Sequence, residues 1–206
     1  MITQGLANNM VHSVKYTLDP NIIGLGANLI SQVSGTLAVN GTAPNVVWRL
    51  NADEICTFDS YFPIWDLEFP LVVPAAPTGG DARAWGWKTP GLGNRGRVEF
   101  DITGAVFSVV VYNETGTAQT IRDNTGQVIT NGVITWDANW TNTLTRFRIQ
   151  HIGNKITFLI NETEIAHAQM NSATAVPVIP HHAHVLNSNA DNMDLRAIIV
   201  RNTFGM

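Results

Sequence analysis

Between residues 144 and 168 apolar and polar side chains alternate with a period of two, the signature of strands with one buried face. Phe147 and Ile149 alternate with Arg146, Arg148 and Gln150. Gly153 and Asn154 follow, two residue types that tolerate positive φ and suit a hairpin turn. Ile156, Phe158 and Ile160 alternate again, Asn161 and Glu162 can reverse the chain, and Ile165 begins another apolar set. The pattern predicts three short strands joined by two tight turns.

Similar patterns cover most of the chain. Residues 35–39 and 46–50 predict a strand pair around an Asn40-Gly41 turn. Residues 55–62 and 65–73 are apolar-rich strands, and Pro63, Pro70 and Pro74 place them at sheet edges or strand ends, because proline cannot donate to a ladder. Residues 74–81 are a loop by composition. Trp85 and Trp87 share one face of a strand over 82–89. Strands follow at 97–102 and 105–112, and the second is apolar on both faces, which predicts a central position. Short strands are expected around Ile121, 128–134 and 182–186, with a closing strand at 195–201. No helical period exceeds a turn or two, and no internal repeat is present. The chain reads as one all-β domain over residues 13–202, with an N-terminal arm at 1–12 and a C-terminal tail at 203–206.

The strand–turn–strand–turn–strand of 144–168, followed by a closing strand, resembles the late meander of concanavalin A-like sandwiches. That family includes laminin-G-like modules, legume-type lectins and family 16 glycoside hydrolases. The resemblance covers about residues 80–201 in layout and implies a jelly-roll β-sandwich of two antiparallel sheets. It implies no single activity, since the fold hosts sugar-binding and architectural proteins alike.

Composition narrows the classes. At 206 residues the chain can bury a large single core, and with 45% hydrophobic but only 14% charged residues its surface polarity comes from Asn, Thr and Gly. A formal net charge of -4 with no basic run excludes a nucleic-acid partner. The single cysteine, Cys56, excludes an internal disulfide framework and reads as a buried thiol. The start of the chain lacks a signal-peptide layout and no apolar run reaches about 18 residues, so cytoplasmic synthesis without membrane insertion is expected.

Three clusters could carry chemistry. Glu99-Phe100-Asp101 resembles the strand motif of family 16 hydrolases, and the resemblance implies Glu99 as nucleophile and Asp101 as the assisting carboxylate. Thr103 or Gly104 stands where the acid/base glutamate belongs, and neither can protonate a leaving oxygen. The pair is therefore expected on a solvated sheet face, with no hydrolysis. The tryptophans are the second cluster: Trp48, Trp65, Trp85, Trp87, Trp136 and Trp140 can fill a core or stack on sugar rings. Trp136 and Trp140, set among Asp137, Asn139, Thr141 and Asn142, are expected to be the most exposed. Trp136, Trp140, Asn139, Trp85 and Trp87 form the candidate glycan-binding set. Third, His181, His182 and His184, with Asn187, Asn189, Asp191 and Asp194, offer nitrogen and oxygen ligands for zinc or calcium. The metal candidates are Asn187, Asn189, Asp191, His182 and His184; no other cofactor is expected. Asn-x-Thr sequons occur at Asn40, Asn113, Asn139 and Asn161.

Disulfide-free, poor in Lys and rich in Asn, Thr, Gly and Val, the chain resembles bacteriophage virion proteins that use lectin-like sandwiches as capsid decoration, tail or fibre modules. The expectation is a non-enzymatic structural protein of a virion, its partners identical subunits or other virion proteins. The alternative is a lectin-like module that binds host-surface glycans.

Overall fold

The computed structural model describes residues 11–16, 30–33, 36–39, 46–47, 64–88, 94–113, 115–170, 182–187, 193–195 and 198–203. The first eight strands are β1 (Val11–Tyr16), β2 (Ile30–Val33), β3 (Thr36–Val39), β4 (Val46–Val47), β5 (Ile64–Val72), β6 (Ala82–Lys88), β7 (Val98–Thr103) and β8 (Val106–Val111). The rest are β9 (Ile121–Arg122), β10 (Val133–Ile134), β11 (Thr145–Ile152), β12 (Lys155–Ile160), β13 (Thr163–Gln169), β14 (His182–Asn187), β15 (Met193–Leu195) and β16 (Ile198–Thr203). Among the described residues, helix is confined to two 3₁₀ turns, Thr130–Gly132 and Ala138–Trp140.

These strands form two antiparallel sheets. The large sheet runs β2-β3-β15-β5-β11-β12-β13-β9, and β16 joins it by pairing with both β5 and β1. The small sheet runs β10-β8-β7-β6-β14-β4. The first two strands of the meander form as the alternation requires. Phe147 lies opposite Phe69 and Ile160, and Ile149 opposite Leu67 and Phe158, so all six face the core. Gly153 (φ 61°) turns β11 into β12, while Asn161 (φ 49°) and Glu162 (φ 66°) turn β12 into β13. β16 rejoins β1 with Val11 opposite Thr203 and His12 opposite Asn202, so pairing takes in two residues of the span expected as an N-terminal arm and one of the span expected as a C-terminal tail.

Between the sheets lies a cluster of aromatic rings. Trp85, Phe100 and Phe107 of the small sheet stack with interplanar angles of 24°, 21° and 3°. Phe147 and Phe158 of the large sheet meet them edge-on: Phe147 is 4.8 Å from Trp85 and 5.2 Å from Phe100, and Phe158 is 5.2 Å from Phe100. Edge-to-face contact sets the positive ring edge against the negative face, which favours this arrangement beyond burial alone.

The outer face of the large sheet is charged and closed. Glu68 is 1% exposed although it points away from the core, because Arg146 lies across it and donates from Nε to Glu68 Oε1 at 2.6 Å. Arg148 Nε likewise donates to both oxygens of Asp66 at 2.9 Å. Glu162, on the β12–β13 turn, pairs with both arginines. These partners raise both guanidinium pKa values, led by the hydrogen bonds to Glu68 and Asp66 respectively.

Four sequence expectations change. The predicted pair 35–39 and 46–50 is not a hairpin: β3 pairs with β2 and β15 in the large sheet, while β4 pairs with β14 in the small one. Pro70 sits inside β5, between β11 and the β15/β16 side rather than at an edge. It is tolerated because Arg146, its partner on β11, directs its backbone N–H and C=O toward Asn161 instead. On the other side β5 changes partner between Glu68, which pairs with β16, and Leu71, which pairs with β15, so the missing N–H falls in a gap. β8 is not central, since its outer neighbour β10 covers only Phe107 and Ser108. The single closing strand is two strands, β15 and β16, with different partners.

His151 lies on the core face of β11, 2% exposed, and burial lowers its pKa from 6.5 to about 4. The unfolded chain binds the proton first, so stability is full above pH 6.5 and declines as pH falls toward 4. Denaturant melts across that range are expected to show a loss on the order of 3 kcal/mol from this group, and His151→Leu should flatten the profile. An unchanged slope in the variant would assign the acid sensitivity elsewhere.

Candidate functional site

The antiparallel register brings several loops to one end of the sandwich. The loop 74–81 meets the β7–β8 turn, where Gly104 N donates to Asp81 O at 2.7 Å. Val73, at the end of β5, pairs with Thr141 in a parallel bridge and accepts from Asn142 N at 2.8 Å. The β12–β13 turn closes the same end through Asn161 N, which donates to Arg146 O at 2.9 Å. Asn187, at the end of β14, lies opposite Arg83 near the start of β6.

The segment between β10 and β11 carries the aromatic part of this end. Asp137 Oδ1 accepts from Asn139 N at 2.9 Å and so caps the turn Ala138–Trp140, a side-chain bond that aspartate makes readily to the backbone two residues on. Trp140 N donates to Asp137 O at 2.9 Å, and Thr141 N to Ala138 O at 3.1 Å. The turn places Trp136 and Trp140 at right angles, with centroids 5.4 Å apart and an interplanar angle of 86°. Both rest edge-on against Phe107, at 5.2 and 5.9 Å. Trp136 Nε1 donates to Thr141 Oγ1 at 3.0 Å, which ties the indole to the far side of its own loop. Both indoles are half-buried, and Asp137, Asn139, Asn142 and Thr143 around them are exposed.

The neighbouring loop is equally braced. Asp81 accepts from Thr78 N at 3.0 Å and from Thr78 Oγ1 at 3.1 Å, and lies 3.8 Å from the buried Arg83 guanidinium. Arg83 also donates to Ala75 O at 3.2 Å. A buried cation is thus matched by a nearly buried anion and a carbonyl.

Of the residues singled out in the sequence, Trp136, Asn139 and Trp140 come together at this end. Trp85 does not join them. It is fully buried among Phe100, Phe107 and Phe147, so its ring faces serve the core and are closed to a sugar. Trp87 holds a strand position opposite Val98 and Ala183. His182 lies opposite Lys88, and His184 opposite Gly86 and Val47. Asn187 is buried at 1% exposure. Asn189, Asp191, His181, Trp48 and Cys56 lie outside the described residues. Among the described residues no three His, Cys, Asp or Glu side chains gather into a metal-binding group.

Glu99 and Asp101 share the outer face of the small sheet, but Glu99 is not solvated: it is 1% exposed. Arg97 Nε donates to Glu99 Oε1, and Arg97 also reaches Asp101 Oδ1 at 3.1 Å. Thr103 Oγ1 donates to Asp101 Oδ2 at 2.9 Å. Gly86, opposite Glu99, explains the tight fit: a Cβ there would lie 2.6 Å from Glu99 Cα and 2.3 Å from Val98 O.

Two features escaped the sequence. Phe107, the anchor of both indoles, sits in a strand apolar on both faces, which hides the direction in which it points. The segments Asn113-Glu114-Thr115-Gly116-Thr117 and Asp123-Asn124-Thr125-Gly126-Gln127 are two copies of one loop. In each, the first residue's Oδ1 accepts from the threonine N and Oγ1 and from the backbone N four residues on. The Thr125 hydroxyl leads the bonds that hold Asp123 below the usual carboxylate range. Asn113 is buried in this role and is no accessible sequon.

No family model matches the chain, and no curated protein matches it. Solved structures do. The Emp47p carbohydrate recognition domain aligns with a TM-score of 0.56 at 11% identity, covering 90% of each chain. The VIP36 exoplasmic/lumenal domain, solved in a Ca2+/Man3GlcNAc-bound form, aligns with a TM-score of 0.51 at 11% identity, covering 86% of this chain and 82% of that one. The botulinum neurotoxin serotype D binding domain aligns with a TM-score of 0.56 at 8% identity, covering 95% of this chain and 44% of that one. The chain thus spans less than half the length of the toxin domains it matches. At these identities the likeness is one of fold: a single all-β, two-sheet sandwich of the concanavalin A-like lectin type.

The Trp136–Thr141 bond yields a direct check. Thr141→Val keeps the shape and deletes the acceptor, so stability is expected to fall by about 1 kcal/mol. The Nε1 proton of Trp136 should also exchange faster in NMR spectra. Unchanged exchange would mean that the bond does not fix the indole.

Proposed function

We propose that this chain is a non-enzymatic glycan-binding module whose ligand seats against Trp136 and Trp140. The observation that carries the proposal is the pair of half-buried indoles, set at right angles on Phe107 and ringed by the exposed Asp137, Asn139 and Asn142. A pyranose has an apolar C–H face and a rim of hydroxyls. An indole face covers the first, and carboxylate and amide side chains can bond the second. The bracing of the loop lowers the ordering penalty on binding, because Trp136 and the backbone of 137–141 are already fixed.

Two of the matched structures support the choice of ligand, one being a carbohydrate recognition domain and the other carrying Man3GlcNAc. They favour the lectin alternative over a virion component, and the structural role in a particle stands second. We place no hydrolysis at Glu99 and Asp101: both bind one arginine, Arg97, and Thr103 and Gly104 supply no acid.

Calcium enters the proposal as a question of affinity. Of the oxygen ligands the sequence offers over 187–194, two are described: Asn187, which reaches the same end of the sandwich as the indoles but is buried, and Asp194, on β15.

A glycan array probed with the purified chain, in calcium and then in chelator, tests this. Binding to a restricted glycan set is expected, with at least a tenfold loss in Trp140→Ala, on the order of 1.4 kcal/mol. Loss in chelator would add calcium to the site. A blank array, or binding indifferent to both Trp136→Ala and Trp140→Ala, would overturn the assignment.

A further inference from the structure

A second concave site lies on the flank of the small sheet, along the edge of β8. β10 covers this edge only at Phe107 and Ser108. Farther along, the edge pairs with the segment around Ala118, where Tyr112 and Ala118 form a bridge and Gln119 N donates to Val111 O at 2.8 Å. Between the two partners a cavity of about 360 Å³ opens, bounded by 109–112, 118–121 and 128–132. That volume falls in the range of small-molecule sites, about 300–1,000 Å³.

The floor of the cavity is built, not incidental. Asn131 (φ 54°) and Gly132 (φ 66°) are consecutive left-handed residues. Gly132 presses so close to β8 that a Cβ on it would lie 2.1 Å from Val109 O. Glycine adopts this conformation freely, but Asn131 does so at a cost, and such residues persist where the surroundings over-determine them and concentrate at ligand sites. Ile129 N donates to Ile121 O at 2.9 Å and Gly132 N to Ile129 O at 3.0 Å, so the wall is hydrogen-bonded as well.

The lining sets the ligand's chemistry. None of the lining residues is Asp, Glu, Lys, Arg or His, so the walls offer a charged ligand no ion pair. The apolar residues of the lining that reach solvent, Val110, Ala118, Val128 and Ile129, are interleaved with the neutral polar residues Gln119, Thr120, Thr130 and Asn131. Val128, Thr120 and Thr130 are exposed, so the mouth is open to solvent. Apolar walls with neutral donors and acceptors suit a ligand that has an apolar face and a hydroxyl rim.

We propose that this cavity is a second binding site, distinct from the indole loop, for a neutral hexopyranose unit. It rests on the cavity alone and stands whether or not the indole loop binds sugar. If both sites bind, one domain would engage two residues of a glycan, and the second contact would raise avidity through effective concentration.

The test is a ¹H–¹⁵N titration of the intact chain with methyl α-mannopyranoside, methyl β-galactopyranoside and, as the charged control, glucuronate. Saturable shifts with at least one of the two neutral sugars are expected at the amides of Val110, Thr120, Asn131 and Gly132, and none there with glucuronate. Ala118→Phe and Val128→Trp, both at exposed lining positions, should each abolish these shifts, whereas Trp140→Ala should leave them in place. Shifts confined to residues 136–142 would overturn the second site while keeping the indole site. No shift from either neutral sugar would also overturn it, and equal response to glucuronate would overturn the neutral-ligand assignment.

Discussion

The edge-to-face contact between the aromatic rings of the two sheets organises this molecule. Trp85, Phe100 and Phe107 lie nearly parallel on the small sheet, and Phe147 and Phe158 meet them from the large sheet at 68° to 81°. Each ring buries a large apolar surface, and their geometry fixes how the sheets face one another. The cluster extends to the candidate site without a break, because Trp136 and Trp140 repeat the same edge-on contact on Phe107. Both loop indoles are held from below by the core, and Trp136 also from the side by Thr141. Site geometry and core packing are therefore coupled.

Charge is handled by the opposite strategy on the outer faces. Acidic side chains are paired with arginines: Glu68 with Arg146, Asp66 with Arg148, and both Glu99 and Asp101 with Arg97. With few charged residues in the chain, this pairing takes up much of the charge on the strands and leaves amide and hydroxyl groups to form the loop surfaces. A polar, weakly charged rim around half-buried aromatics suits neutral ligands. The same logic holds at the cavity beside β8, which no charged residue lines.

The first two strands of the meander and both turns were legible, because a period of two and two turn dipeptides act locally. The third was not, since a bulge leaves Ile165 without a partner on β12 and puts Ala166 and Ala168 in the core. That Trp136, Asn139 and Trp140 share one loop was legible too, but not that both indoles are half-buried against Phe107, a partner distant in sequence. What failed depended on partners distant in sequence. Pro70 looked like an edge signal, yet the gap that tolerates it exists only because β16 and β15 share one side of β5. The same-face relation of Trp85 and Trp87 could be read, but which face was buried could not. Only the partners show that Ala84 and Gly86 lie outward while Trp85 points in. Glu99 looked solvated because nothing local announces an arginine paired with it. The fold of residues 144–162 is written in their own order; the site depends on which strands the rest of the chain brings beside Phe107.

Intermolecular NOEs in a complex with a mannose-type oligosaccharide would test the central claim most directly. The account predicts contacts from the ring protons of Trp136 and Trp140 to pyranose C–H protons, with hydroxyl-bearing carbons near Asn139. NOEs that arise only from other parts of the surface, with both indole spin systems unperturbed at saturation, would contradict it.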